Sequence, residues 1–102
     1  MNTKRALVLN SKDNVATAVE DIEAGDRVNI EGKEGVTRSI KAVEAVPFGF
    51  KLALTDIAKG GDIIKYGEVM GRATSDIKVG AQVHVHNVEG VRVQTKVEGQ
   101  RR

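Results

Sequence analysis

The sequence predicts a small, mostly β domain built from short strands. Three observations carry that reading. One pattern, Asp-Ile-x-x-Gly-x-x-(Val/Ile), recurs at Asp21–Val28, Asp56–Ile63 and Asp76–Val83. Apolar and polar residues alternate in short runs, and no segment carries a sustained helical stripe. Eleven glycines punctuate the 102 residues.

The repeat has a physical meaning. An Asp caps a one-turn helical segment, because its carboxylate accepts backbone N–H groups that have no other partner. The Ile points into the core. The Gly suits the left-handed conformation that ends the turn. The β-branched residue three positions on starts a strand. The copies begin 35 and 20 residues apart, at Asp21, Asp56 and Asp76. Unequal spacing argues against a solenoid and for a compact, pseudo-symmetric β fold.

In chain order, Arg5–Leu9 reads as a strand and Asn10–Asn14 as a polar turn. Val15–Val19 is a short apolar run whose period is ambiguous; strand is favoured because the third repeat leads so plainly into one. Val28–Ile30 is a strand, Glu31–Gly35 a hairpin loop, and Val36–Val46 the returning strand. Pro47-Phe48-Gly49 is a turn, with Pro47 at the second and Gly49 at the fourth position of a type I turn. Lys51–Leu54 is extended. Ile63-Ile64 begins a strand that breaks at Lys65-Tyr66-Gly67, and Glu68–Ala73 follows. Val83-His84-Val85-His86 alternates, which places the valines on one strand face and the histidines on the other. From Val91 alternation resumes, so residues 89–102 read as a basic C-terminal strand or arm.

Length implies one domain over residues 1–102, able to bury roughly 60–70% of its unfolded surface. Cysteine is absent, which excludes a disulfide framework and a thiolate metal site. The N-terminal residues carry no signal-peptide apolar run, and nothing approaches the length of a membrane span. These features point to a cytoplasmic protein with no membrane association. Net charge is only +2, from 16 basic and 14 acidic residues. Aromatics are 3% of the chain, too few for a base-stacking platform, so a nucleic-acid partner is disfavoured.

The best local signal for chemistry is His84-x-His86. On a strand both imidazoles would share a face and reach one metal ion or one anion. Two ligands do not complete a metal site, and the plain alternative is two exposed histidines. Asn87 could orient a substrate hydroxyl or carboxylate, or simply close the strand. Lys51 and Lys65 flank glycine-containing turns and could pair with a carboxylate. Tyr66 could donate a hydrogen bond or cover the edge of the core. The repeat aspartates, taken as a set, read as structural caps. Phosphate-binding loops, dinucleotide loops and a nucleophile elbow are all missing from the sequence.

These pieces resemble a known family. Asp13-Asn14-Val15-Ala16, Gly49-x-Lys51-x-Ala53-Leu54-x-Asp56-Ile57-x-x-Gly60, Lys65-Tyr66-Gly67-x-x-x-Gly71-x-Ala73 and Asp76-Ile77-x-x-Gly80-x-x-Val83-His84-x-His86-Asn87 follow the order seen in the small N-terminal SAF domain of altronate/galactarate dehydratases. The resemblance covers roughly residues 5–88. It implies a SAF-type β-clip fold of short strands with one-turn helical segments. It also implies a hydroxy-acid lyase that dehydrates a sugar acid such as altronate or galactarate, with a divalent metal, iron or manganese, held mainly by a large catalytic subunit. Such a chain would be a separate small subunit, inactive alone, with homo-oligomerisation open. His84 and His86 would face the site as catalytic or metal-binding groups. Asn87, Lys51, Lys65 and Tyr66 would hold substrate. A related possibility is the small subunit of sulfolactate sulfo-lyase, which expels sulfite; another is a non-catalytic SAF ligand-binding module. Members of the family often carry His where this chain has Phe50 and Asn10, which puts the usual substrate in question.

Overall fold

The computed structural model describes residues 3–90. Nine strands follow in order: β1 (Thr3–Leu7), β2 (Val15–Ala18), β3 (Arg27–Gly32), β4 (Gly35–Lys41), β5 (Lys51–Ala53), β6 (Asp62–Lys65), β7 (Glu68–Ala73), β8 (Gln82–Val83) and β9 (Val88–Gly90). They form a six-stranded sheet, β4-β3-β1-β2-β5-β8, and a three-stranded sheet, β6-β7-β9. The β1–β3 pair is parallel and every other pair is antiparallel. The mostly β class is as the sequence predicts. The one-turn helical segments are not: the described residues hold no helix. Among them, none is long and apolar enough to cross a membrane as a helix.

Each repeat is instead a tight turn. Gly25, Gly60 and Gly80 take φ of +93°, +87° and +90°, a region that only glycine enters without strain. Ile22, Ile57 and Ile77 are buried as expected. The aspartates do cap, but across to another turn rather than along their own. Asp56 Oδ1 accepts the Val79 amide at 2.9 Å, and Asp76 Oδ1 accepts the Lys59 amide at 2.8 Å. Asp21 Oδ1 accepts the Phe48 amide at 2.9 Å. A carboxylate can satisfy an unpaired N–H wherever the fold brings one, and no helical turn is needed.

The Phe48 bond exposes a fourth copy. Ala45-Val46-Pro47-Phe48-Gly49 follows the same path with Ala in place of Asp, and Gly49 has φ of +87°. The turns work in two reciprocal pairs. Ile22 and Val46 exchange both backbone hydrogen bonds at 2.9 Å, and Ile57 and Ile77 do so at 2.8 Å. An alanine precedes each turn: Ala18, Ala42, Ala53 and Ala73, all fully buried. Each accepts from the partner turn's Gly amide and donates to the next carbonyl, at 2.8–2.9 Å throughout. In all four turns the amide after the Gly donates to the carbonyl three residues back: Asp26 to Glu23, Phe50 to Pro47, Gly61 to Ala58 and Ala81 to Lys78. Pro47 is therefore the first turn residue and Gly49 the third, the positive-φ place of a type II turn, not the type I arrangement expected.

Three further boundaries differ from expectation. β1 begins at Thr3, the β3–β4 loop shrinks to Lys33-Glu34, and β8 stops at Val83. Val83 is 1% exposed and Val85 79%, so the two valines do not share a face. Of the arm expected over residues 89–102, Glu89 and Gly90 belong to β9, and the remainder lies outside the described residues.

The core forms two clusters. One packs Ala6, Val28, Ile30, Val46 and Leu52 between the larger sheet and the first turn pair. The other packs Val15, Ala53, Ile63 and Val83 with Ile57 and Ile77 of the second pair.

Candidate functional site

The residues singled out from the sequence fall into two neighbouring groups. They join where Lys51 of β5 pairs with Val83 of β8.

The first group surrounds the β6–β7 hairpin. Its tip is Tyr66-Gly67, with both residues at positive φ (+57° and +77°). Tyrosine rarely adopts that conformation, so something must hold it there. Asp13 does so. Its carboxylate accepts the Tyr66 amide at 3.0 Å and the Gly67 amide at 2.8 Å, and its side chain is almost wholly buried. Asn14 ties the same hairpin at its root. Its side chain accepts from the Ile64 amide at 2.7 Å and donates to the Asp62 carbonyl at 2.8 Å, like a rung of a sheet. Tyr66 thus stands exposed with the Lys65 ammonium 4.5 Å from its ring centre. Lys51 is half-buried beside them. Burial, and then the neighbouring Lys65 ammonium, hold Lys51 below the usual lysine range, while Tyr66 acts in the opposite direction.

The second group is the His84–Asn87 segment. It is a turn, not a strand, which corrects the alternating reading. Asn87 is the cause. Its Oδ1 accepts the His84 amide at 2.9 Å, its Nδ2 donates to the Gln82 carbonyl at 2.9 Å, and its own amide donates to the His84 carbonyl at 3.0 Å. A side chain that bonds the local backbone offers the chain an alternative to a strand ladder. Asn87 is buried and its polar atoms serve the turn. His84 is half-buried, its ring 4.3 Å from that of Phe50 at 38°. His86 is exposed in the same turn.

Phe50 and Asn10 both carry structural duty. Phe50 supports His84 and packs on the first core cluster. Asn10 shapes the turn that delivers Asp13, accepting the Lys12 amide at 2.9 Å on its side chain and the Asp13 amide at 3.0 Å on its carbonyl. Its amide group also lies where a Cβ on Gly67 would be, at 2.7 Å. Asp13 and Thr17, the direct partner of Lys51 across β2 and β5, were not singled out as site residues. The available signal was an Asp-Asn pair that closes a turn just before an apolar run.

Among the described residues no three His, Asp or Glu side chains gather at one point. A divalent metal needs more ligands than two imidazoles. These residues alone therefore do not make the metal centre implied by the resemblance. An open groove of about 580 Å³ runs between Val8–Ser11 and the β3–β4 hairpin; its lining includes Asn10 and Asp13 but none of the six predicted site residues.

The family model described as "Altronate/galactarate dehydratase SAF domain" matches residues 4–91. The chain belongs to that family. The SAF domain is 42% identical over 79 residues to altronate dehydratase of Escherichia coli (strain K12), covering 78% of this chain and 15% of that protein. It is 35% identical over 86 residues to altronate dehydratase of Bacillus subtilis (strain 168), covering 84% of this chain and 16% of that protein. The SAF domain thus spans a small fraction of either dehydratase. It is also 38% identical over 74 residues to (2R)-sulfolactate sulfo-lyase subunit alpha of Chromohalobacter salexigens. That match covers 70% of this chain and 77% of that subunit.

Proposed function

We propose that this SAF domain is the small subunit of a two-component hydroxy-acid lyase, inactive until it joins a large catalytic subunit. One observation carries the reading. A relative named as a subunit is matched along 77% of its own length, while two relatives named as dehydratases extend far beyond the match. The substrate is a sugar acid such as altronate or galactarate, and the reaction is loss of water. The divalent metal, iron or manganese, belongs mainly to the large subunit.

The chemistry asked of this chain follows from elimination. A base takes the proton beside the carboxylate, and the hydroxyl on the next carbon leaves. The carbanion is tolerable only if positive charge and hydrogen bonds meet the carboxylate. Lys51 and Lys65 supply the charge, and the Tyr66 hydroxyl supplies a donor. His84, held against Phe50, is the proton-transfer group, since an imidazole can both accept and donate a proton. His86, exposed on the same turn, faces the large subunit. Asn87 acts by shaping the turn that presents both histidines.

The test is capture under anaerobic conditions. The tagged chain is drawn from its native lysate, its companions identified, and the complex assayed for metal and for loss of water from altronate and galactarate. A large dehydratase-like companion with activity that falls at least tenfold in the His84→Ala/His86→Ala variant supports the proposal. A monomeric chain without such a companion refutes it. A second reading is release of sulfite from sulfolactate, favoured by the length of the subunit-alpha match; sulfite in the same assay decides it. A third is a non-catalytic ligand-binding module, favoured by the closed His84–Asn87 turn. Unchanged ligand affinity in the double histidine variant would select it.

A further inference from the structure

The outer face of the six-stranded sheet carries cations that no acid meets among the described residues. Ala6, Val28, Ile30 and Ile40 point into the first core cluster. Their strand neighbours point the other way, away from that core. On this outer face Arg27 pairs with Lys41, Asn29 with Ser39 and Glu31 with Val36. Arg5 and Leu7 of β1 lie beside Asn29 and Glu31. Two side-chain contacts run along the same face. Ser39 Oγ donates to Asn29 Oδ1 at 2.7 Å, and Arg5 Nε donates to Glu31 Oε2 at 3.2 Å. Arg27 and Lys41 are exposed, and so are Leu7 and Val36, at 37% and 56%.

The ion pairs among the described residues are Lys4–Asp26 and Arg5–Glu31. Glu31 is thus taken by Arg5, and Arg27 and Lys41 meet no carboxylate among those residues. They are direct cross-strand partners, and like charges so placed destabilise a sheet. An acidic group brought from outside relieves the repulsion. β4 ends the sheet, so the face runs open to that edge. In the other direction Leu7 pairs with Thr17, and Thr17 with Lys51, so the face leads by direct pairing to β5 of the candidate site.

We infer that this face docks an acidic protein surface, with carboxylates set on Arg27 and Lys41 and apolar side chains on Leu7 and Val36. That the partner is the large catalytic subunit rests on the two-component reading; the face and the charge it requires come from the strand registers. A nucleic acid fits less well, because its phosphates would also meet Glu31 and no aromatic ring stands among these residues to stack a base. A second copy packed two-fold on the same face would set like charges on like.

The test is capture of the tagged full chain, followed by affinity measurement against the purified companion. Arg27→Glu and Lys41→Glu should each weaken the complex about tenfold, since a like-charge contact replaces an attractive one. Raising the salt to about 0.5 M should weaken the native complex and narrow its gap from the variants. Each reversal also turns the Arg27–Lys41 pair into opposite charges, so the unfolding midpoint should hold or rise. Weaker binding then cannot come from a damaged fold. The double variant Arg27→Gln/Lys41→Gln, with a loss of about threefold, serves if a reversal does disturb the fold. Lys78→Glu, an exposed reversal in the second turn pair, should change affinity less than about twofold. Unchanged affinity in the face variants, or an equal loss with Lys78→Glu, overturns the inference. So does self-association, or binding of a short DNA duplex, that the same face reversals abolish. A lyase complex held undiminished by the face variants sinks this inference alone. An acidic companion without lyase activity, released by both reversals but not by Lys78→Glu, sinks the lyase reading alone. A native chain that retains no protein sinks both.

Discussion

The two turn pairs share a backbone and differ in how they are fastened. In the second pair, Asp56 and Asp76 each cap the other's turn. In the first, Asp21 caps the Phe48 turn, but Ala45 offers no carboxylate in return. Another group fills part of that role. Asp26, the residue after Gly25, accepts the Glu23 amide at 2.8 Å and the Lys4 ammonium at 3.0 Å. The corresponding residues after the other turn glycines are Phe50, Gly61 and Ala81, which have no such group. One geometry is thus stabilised by reciprocal caps in one pair and by a cap plus an ion pair in the other. Backbone exchange defines the fold element, and side-chain fastening is interchangeable.

The largest effect should come from the joint between the pairs. Gly80 combines φ of +90° with a tight approach of Lys41 O to where its Cβ would be, and its carbonyl accepts the Val43 amide at 3.0 Å. Gly60 has a similar φ but open space around that position. Gly80→Ala should cost about 3 kcal/mol or more in urea unfolding, and Gly60→Ala about 1–2 kcal/mol. Equal losses would mean that the joint adds nothing beyond the turn.

The reciprocal caps come next. Asp56→Ala and Asp76→Ala should each cost about 1 kcal/mol, and both together about 2 kcal/mol, since they cap different turns. Asp21→Ala should cost about 1 kcal/mol as well. A double variant no worse than either single would show that the two caps are one unit.

A gain sharpens the same comparison. Ala45 is exposed, and Ala45→Asp restores the missing carboxylate of the first pair. It should raise the unfolding midpoint by the equivalent of about 0.5–1 kcal/mol. No gain would mean that Asp26 already does the whole task.

The smallest effect is a pH dependence. The Glu23 amide, and then Lys4, hold the Asp26 carboxyl below its ordinary value. A depressed carboxyl adds stability above its unfolded pKa and loses that stability as pH falls through the folded one. The melting-temperature gap between the native chain and Asp26→Asn should be full at neutral pH and close below about pH 4. A gap that persists in acid would rule out ionised Asp26 as the fastener.

How much of this was legible follows from residue chemistry. Asp, Ile and Gly each carry a strong local signature, so three turns and their strands could be read directly. The fourth copy was hidden because Ala45 and Val46 carry no capping signal and Pro47 suggests a different turn. The four alanines were silent because a methyl group has no directional preference; their role is to let another turn lie close. The aspartate caps were read as local when they are long-range, a distinction that sequence order cannot make. Lys51, Lys65 and Tyr66 were legible as candidates; the structure sets the Lys65 ammonium over the Tyr66 ring and leaves Lys51 half-buried on β5. The histidine alternation misled because a strand pattern and an Asn-closed turn look alike until the Asn87 side chain has a place to go.

Tyr66 shows what such a design exposes to selection. Its φ of +57° suits Gly or Asn far better than an aromatic residue. A library screened for heat resistance alone would discard the tyrosine and gain stability at that turn. The survivors would lose the ring beside Lys65. Under the proposed substrate-holding role of Tyr66, robustness and recognition pull against each other at that one position.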